Sequence, residues 1–301
     1  MTASKMMGSR VLVTGAAGFI GAVLCAVLVA AGAHVTGTSR RARQDDATIT
    51  WRSADFARPA EVKALIDEAR PDFIFHLAAH VTGARDLAHV LPALQANCAA
   101  AVTLMTAAAE RGGVRVVLAN SLEEPTDFQS PPHSPYAAAK LASTAYARMF
   151  HALYGLHVVP ARIAMGYGPR QKDFTKLVPY AIRCLLNGET PRYSSGVRRC
   201  DWIYGDDIAD GLIAAALSEQ AAGEVVDIGS GRVHSVGDVV QTLHALMGAP
   251  PPRLGDTPDR AMERKYAPDL ERTFALTGWR AKVDVKEGLR RTVDWHRTRM
   301  R

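Results

Sequence analysis

The segment Val11-Leu-Val-Thr-Gly15-Ala-Ala-Gly18-Phe-Ile-Gly21 constrains this chain more than any other stretch. A short apolar run meets a helical run at a turn carrying three glycines. A turn of that kind is tight, lets the backbone approach a pyrophosphate closely, and aims the free N–H groups of a helix start at it. Gly21 lets the helix pack on the strand. The reading assigns Gly15, Ala17, Gly18, Phe19, Ile20 and Gly21 to dinucleotide binding.

Around this turn, short apolar runs alternate with helical patterns. Strands are expected at 10–14, 34–38, 48–52, 72–77, 114–119 and 157–162, and helices at 59–69, 87–111 and 134–154. That alternation predicts an α/β fold, a Rossmann-type doubly wound parallel sheet. Beyond Gly166 the alternation breaks down, with helices expected at 176–187, 206–217, 236–247 and 285–300 and a strand at 224–228. The second half is therefore read as a smaller mixed α/β substrate-binding lobe. Residues 1–165 form the nucleotide-binding domain, parts of 198–230 complete its sheet, and 166–301 supply a cap interleaved with it.

Composition narrows the class. With 301 residues, 48% of them hydrophobic, the chain can bury a large core. Its four cysteines stand far apart with no C-x-x-C pair, so neither a zinc site nor a disulfide framework is indicated, and a reducing cytoplasm fits. The N-terminal residues lack the sections of a secretory signal. The apolar run from Phe19 to Ala33 is too short to span a bilayer and reads as a buried helix. The net charge of +6 comes from dispersed basic residues without an aromatic-rich basic stripe, which argues against nucleic acid and suits an anionic small substrate.

The second strand ends Ser39-Arg40-Arg41, with no carboxylate where an NAD site usually carries one for the ribose 2′-hydroxyl. Ser39 and an arginine can bind a 2′-phosphate, so NADP is expected ahead of NAD; a solvated basic turn is the bland alternative. Asp55 is a candidate partner for the adenine amino group and equally a cap for the helix after it. Farther along, Tyr136-Ala-Ala-Ala-Lys140 puts a phenol and an ammonium one helical turn apart. Ser134 as N-cap and Pro135 as first helical residue place Tyr136 where the helix dipole favours negative charge. Lys140 and the dipole are expected to lower the Tyr136 pKa, and the pair after a dinucleotide turn points to redox chemistry on a nicotinamide.

Together these motifs resemble the extended short-chain dehydrogenase/reductase superfamily, in its nucleotide-sugar epimerase, dehydratase and reductase branch. The resemblance also rests on His76-Leu-Ala-Ala79, Asn97, Tyr167-Gly-Pro169, Asp201-Trp-Ile-Tyr-Gly-Asp206-Asp207 and Gly278-Trp279, and spans nearly the whole chain. It implies that Leu77, Ala78, Ala79 and Asn97 border the cofactor, that Ser121 hydrogen-bonds the reacting sugar oxygen, that Tyr136 is its acid/base, and that Lys140 holds the nicotinamide ribose. A strand-end cap is the plain structural alternative for Ser121. It further implies a nucleotide-diphosphate sugar as substrate and a homodimer built on the 87–111 and Tyr136 helices.

Three departures refine the expectation. The acid–base Asp-Glu pair of 4,6-dehydratases is Leu122-Glu123 here, leaving Glu123 as a base at C5 but no proton donor before it. Met165-Gly166 and Cys200 stand where many relatives carry a substrate asparagine and arginine. Lys176, Arg199 and Arg253 are the candidate substrate-binding cations, with Arg198 adjacent. Ser121-Leu-Glu-Glu resembles the Ser-Ser-Glu-Glu of GDP-4-keto-6-deoxymannose reductases, and with Arg40 and Arg41 this resemblance implies NADPH-dependent reduction of a keto-sugar at C4. The alternative is an epimerase or dehydratase that recycles its hydride internally. Two other readings are a ketoreductase for a small non-nucleotide substrate and a catalytically idle NADP-binding protein.

Overall fold

A computed structural model describes residues 3–39, 41, 43–126, 129–259 and 267–299. In chain order the strands are β1 (Arg10–Thr14), β2 (His34–Thr38), β3 (Ile49–Arg52), β4 (Phe73–His76), β5 (Arg115–Ser121), β6 (His157–Ile163), β7 (Met165–Tyr167), β8 (Arg199–Tyr204), β9 (Val226–Ile228) and β10 (Val233–Ser235). The helices are α1 (Phe19–Ala30), α2 (Pro59–Ala69), α3 (Val90–Leu94), α4 (Ala100–Arg111), α5 (Pro135–Tyr154), α6 (Leu177–Leu186), α7 (Gly205–Leu217), α8 (Val236–Met247), α9 (Leu270–Thr277) and α10 (Val285–Arg297).

Seven strands form one parallel sheet in the order β3-β2-β1-β4-β5-β6-β9. The chain leaves β1 towards β2 on one side and later returns to β4 on the other. That reversal opens a crevice at the carboxyl ends of β1 and β4, where doubly wound sheets bind ligands. Alternation along β1 explains the two-sided core. Val11 and Val13 face a cluster with Val23, Leu24 and Leu28 of α1 and Ile208 and Leu212 of α7, whereas Leu12 faces one with Leu65 of α2, Leu104 of α4 and Ala147 of α5.

The small sheet, β10-β8-β7, has β8 antiparallel to β10 and parallel to β7. It shares a third core, built from Tyr167, Trp202 and Tyr204 with Val240 of α8 and Leu289 and Val293 of α10. β9 joins the large sheet, anchored by Asp227: its carboxylate accepts two bonds from the Arg162 guanidinium of β6, at 2.7 and 2.9 Å, and one from the Asp269 N–H ahead of α9.

The structure differs from expectation in four short elements and one long one. β7, β8, β10 and α9 add to the expected elements; β7 and β10, three residues each, carry too few side chains to show a period, and β8 is buried on both faces from Asp201 on and shows no alternation. The 87–111 helix is not uniform. It begins as a 3-10 turn (Leu87–His89), widens to a π segment at Gln95–Ala99 and then continues as α4. Leu87–Arg111 is long and apolar enough by composition to cross a membrane, yet α4 packs on α2 and α5 over the large sheet.

Candidate active site

The crevice begins at the glycine turn. Gly15 has φ +67°, and a Cβ there would lie 2.8 Å from the Ala78 nitrogen, so this backbone must pass bare against the loop after β4. A Cβ on Gly21 would lie 2.3 Å from the Gly15 carbonyl, which ties the helix to the turn. Gly18 is the N-cap of α1 and has no side chain to occupy the helix start. The first N–H groups, those of Phe19, Ile20 and Gly21, therefore lack intrahelical acceptors and converge beside exposed Ala17 and Gly18. An uncapped, glycine-lined helix start at the switch point fits a dinucleotide diphosphate. The Phe19 ring serves a different purpose, lying under Gly166, Gly168 and Gly205 where the two lobes meet.

The opposite wall is the loop after β4. Thr14 Oγ1 bonds His76 Nδ1 at 2.9 Å and accepts from the Ala78 N–H at 3.1 Å, while Leu77 N–H donates to the Thr14 carbonyl at 3.2 Å. Ala79 is exposed on this wall. His76 is enclosed, and burial pulls its pKa down to about 3. Asn97 sits in the π segment, where its amide bonds the His80 N–H and carbonyl at 2.8 and 3.1 Å. It braces the 80s loop from behind.

At the end of β2 the Ser39 hydroxyl donates to the Arg41 carbonyl at 2.7 Å, and Arg41 is exposed. Arg40 lies outside the described residues. Asp55 accepts from the Ala57 N–H at 3.0 Å and pairs with Arg58, so in this structure it shapes the entry to α2.

The chemical centre lies where β5 ends against α5. Ser134 caps α5 as expected, its hydroxyl accepting from the Ala137 N–H at 3.1 Å. Tyr136 is buried in the first turn beside Ser121, whose hydroxyl accepts from the Glu123 N–H at 3.1 Å. Lys140 is buried too; its ammonium donates to the Ala119 carbonyl at 2.6 Å and stands 5.9 Å from the Tyr136 ring centre. The expected lowering of the Tyr136 pKa is not found. Burial pushes the phenol well above its ordinary range, Glu123 and Glu124 push it further, and the Ser121 hydroxyl only partly opposes them. Desolvation outweighs the helix dipole, while Lys140 spends its proton on a carbonyl. The same burial pulls Lys140 down to about 8.

Next to this centre a cavity of about 580 Å³ is walled by the 81–86 loop, Glu123, His133, Ser134, Asp173, Lys176 and Arg198. Glu123 Oε2 lies 3.7 Å from His133 Nε2, and the Glu123 side chain is about one-third exposed to the cavity. Of the expected substrate cations, Lys176 lines this space. Arg199 does not: on β8 its guanidinium donates to the Val233 carbonyl at 3.1 Å, and its neighbour Arg198 holds the cavity wall. Arg253 also stands apart, highly exposed and paired with Asp256 at 3.3 Å. Asp201 and Asp207 are structural. Asp201 ties the 230–231 turn through its N–H groups, and Asp207 accepts from Lys282 and Val283.

Sequence reasoning missed Glu124, Asn120 and Thr144, which connect under Ser121, and His133. A carboxylate following a strand-end serine was visible in the sequence; its inward direction was not.

A dinucleotide crevice joined to a Ser–Tyr–Lys centre defines a nicotinamide-dependent α/β enzyme of the short-chain dehydrogenase/reductase type. Residues 11–229 match the NAD dependent epimerase/dehydratase family, and the chain belongs to it. It is 32% identical to the UDP-glucose 4-epimerase of Mycolicibacterium smegmatis, over 96% of this chain and 99% of that one. It is 30% identical to a dTDP-glucose 4,6-dehydratase of an Actinoplanes strain, over 96% and 98%. Among solved structures, the Bordetella bronchiseptica enzyme WbmF in complex with NAD+ and UDP superposes with TM-score 0.84 at 25% identity, covering 99% of this chain and 94% of WbmF.

Proposed function

We propose that this enzyme oxidises and re-reduces C4 of a nucleoside-diphosphate hexose with a retained NAD, as a 4-epimerase does. The observation that carries the reading is the buried Ser121–Tyr136–Lys140 centre, whose sequence neighbours Glu123 and Ser134 line a cavity with Lys176 and Arg198 on its wall. A bound nicotinamide supplies a hydride acceptor and a positive charge that offsets the desolvation of the phenol. Tyr136 then removes the proton from the C4 hydroxyl and returns it, Ser121 holds the same oxygen, and Lys140 holds the ribose and keeps the phenol oriented. Lys176 and Arg198 bind the diphosphate. Net reduction by NADPH, the leading expectation from sequence, gives way to this reading. The relatives are epimerases and dehydratases, WbmF was solved with NAD+, and the Ser39 hydroxyl is turned to the Arg41 carbonyl. Four cysteines without a disulfide suit a reducing compartment.

Incubation with NAD+ and a panel of UDP-, dTDP- and GDP-hexoses, followed by NMR of the sugars, is expected to show a C4 epimer without net NADH. Tyr136→Phe should lower kcat by about 10²- to 10⁴-fold while leaving the fold intact. A variant as active as the wild type would remove Tyr136 from the chemistry.

One observation favours a second reading. Glu123 faces the cavity beside His133 and within electrostatic reach of Tyr136, which places a base and a potential proton donor next to the C4 centre. Dehydration would need that base at C5, with His133 in the place of the proton donor that Leu122 cannot be. Glu123→Gln separates the two: epimerisation is expected to persist within about tenfold, whereas a 4-keto-6-deoxy product would be lost by a further order of magnitude or more.

We also propose a homodimer. Leu87, Val90, Leu91 and Leu94 are exposed along α3 and the turn before it, and Tyr146, Leu153 and Tyr154 along α5, which packs beside it. A second copy of the chain would cover this two-helix apolar face.

A further inference from the structure

Beneath the proposed catalytic residues lies a carboxylate that the chemistry described so far does not use. Glu124 is 1% exposed, and both of its oxygens are engaged: Oε1 accepts from the Ser121 N–H at 3.0 Å and Oε2 from the Thr144 hydroxyl at 2.6 Å. Thr144 in turn accepts from the Asn120 amide, which also donates to the Lys140 carbonyl at 3.2 Å, and Ser143 donates to Asn120 Oδ1 at 3.0 Å. A single chain of hydrogen bonds thus runs from the backbone of Ser121 to the backbone of Lys140 and locks the end of β5 to α5. Because both partners donate to it, the geometry matches the ionised acid.

We propose that Glu124 is a positioning residue that fixes Ser121 against the Tyr136 helix and supplies the negative charge that keeps buried Lys140 protonated. This rests on the reading of Tyr136 and Lys140 given above. The groups facing Lys140 are few: Glu124 at the end of β5, Cys98 on the π segment, His76 on β4 and Tyr136 on its own helix. Cys98 and His76 are buried, and burial favours their neutral forms, raising the thiol pKa and lowering that of the imidazole. Tyr136 is held neutral as well. Glu124 is therefore the one member of this set whose geometry fits an anion. Burial raises the Glu124 pKa; the bonds from Thr144 and from the Ser121 N–H oppose that, and Arg162 on β6 and Lys140 itself add positive charge on the same side.

The sign follows from the charges. Lys140 stands near 8, lowered by burial and supported by Glu124. Removing the charge while keeping the shape must lower it further, so that it deprotonates at a more acidic pH.

The test is a ¹³C NMR titration of Lys140 in the free protein labelled at lysine Cε, the resonance being assigned by its loss in Lys140→Met. Glu124→Gln is expected to lower the Lys140 midpoint by about one unit. NAD+ affinity, measured calorimetrically over the same pH range, should fall off correspondingly earlier. Thr144→Val keeps the charge and should leave the midpoint in place. If Glu124→Gln does not fold, Glu124→Asp serves: its shorter carboxylate keeps the charge but cannot span both donors, so the midpoint should hold while kcat falls about tenfold or more at unchanged KM. An unmoved midpoint in Glu124→Gln overturns the proposal, as does wild-type kcat in Glu124→Asp. Since the titration needs no substrate, its failure is separate from failure of the epimerase reading.

Discussion

At Gly15 the reason for a glycine is steric and local. Its left-handed φ and the Ala78 nitrogen 2.8 Å from an added Cβ follow from the need to turn tightly beside the loop after β4. Gly15→Ala is expected to cost about 1–3 kcal/mol in unfolding free energy and to weaken NAD+ binding by more than tenfold. Chemical denaturation and calorimetry check the two separately; a variant matching the wild type in both would remove the close approach from the account. Tyr136 shows the opposite. Its position was legible in the Tyr-x-x-x-Lys spacing and its proton state was not, because the decisive quantity is burial by segments far away in sequence. The same limit hid Glu124, and it exchanged Arg199 for Arg198, since one residue of register on a strand turns a side chain to the other face.

Several elements follow their sequence period almost to the residue. α2, β1, β2 and α8 match their expected bounds, and Ser134 and Ser235 cap their helices as the capping rule requires. β9 illustrates what a period alone cannot give. Its three residues join the large sheet, although the chain between β6 and β9 first builds two strands of the other sheet. What holds β9 there is the buried Arg162–Asp227 pair, which no local pattern announces. Asp227→Ala leaves the Arg162 guanidinium, 14% exposed, without its partner and should cost about 3–5 kcal/mol, read as a fall in the urea midpoint. A change below 1 kcal/mol would mean that β9 is held by its apolar residues alone.

For the whole molecule, the proposed function draws on the crevice of one sheet and on the proposed substrate cations Lys176 and Arg198 in the segments that follow it. The proposed dimer belongs to this scale. Sedimentation equilibrium is expected to give twice the mass of the 301-residue chain, and Leu91→Glu to give the single-chain mass with the fold retained. A wild-type monomer at micromolar concentration would contradict it. Fold class and family followed from the order of motifs along the chain, whereas the choice between recycling and net reduction did not, because it depends on a 2′-phosphate contact and on the cavity wall. The central claim is that a hydride leaves C4 of the sugar and returns to the same molecule while Tyr136 carries the proton. The most direct measurement is mass spectrometry of product from a nucleoside-diphosphate hexose deuterated at C4, turned over by NAD+-loaded enzyme. The account predicts that the deuterium is recovered in the sugar with no net NADH; loss of the label, or turnover that consumes NADPH mole for mole, would contradict it.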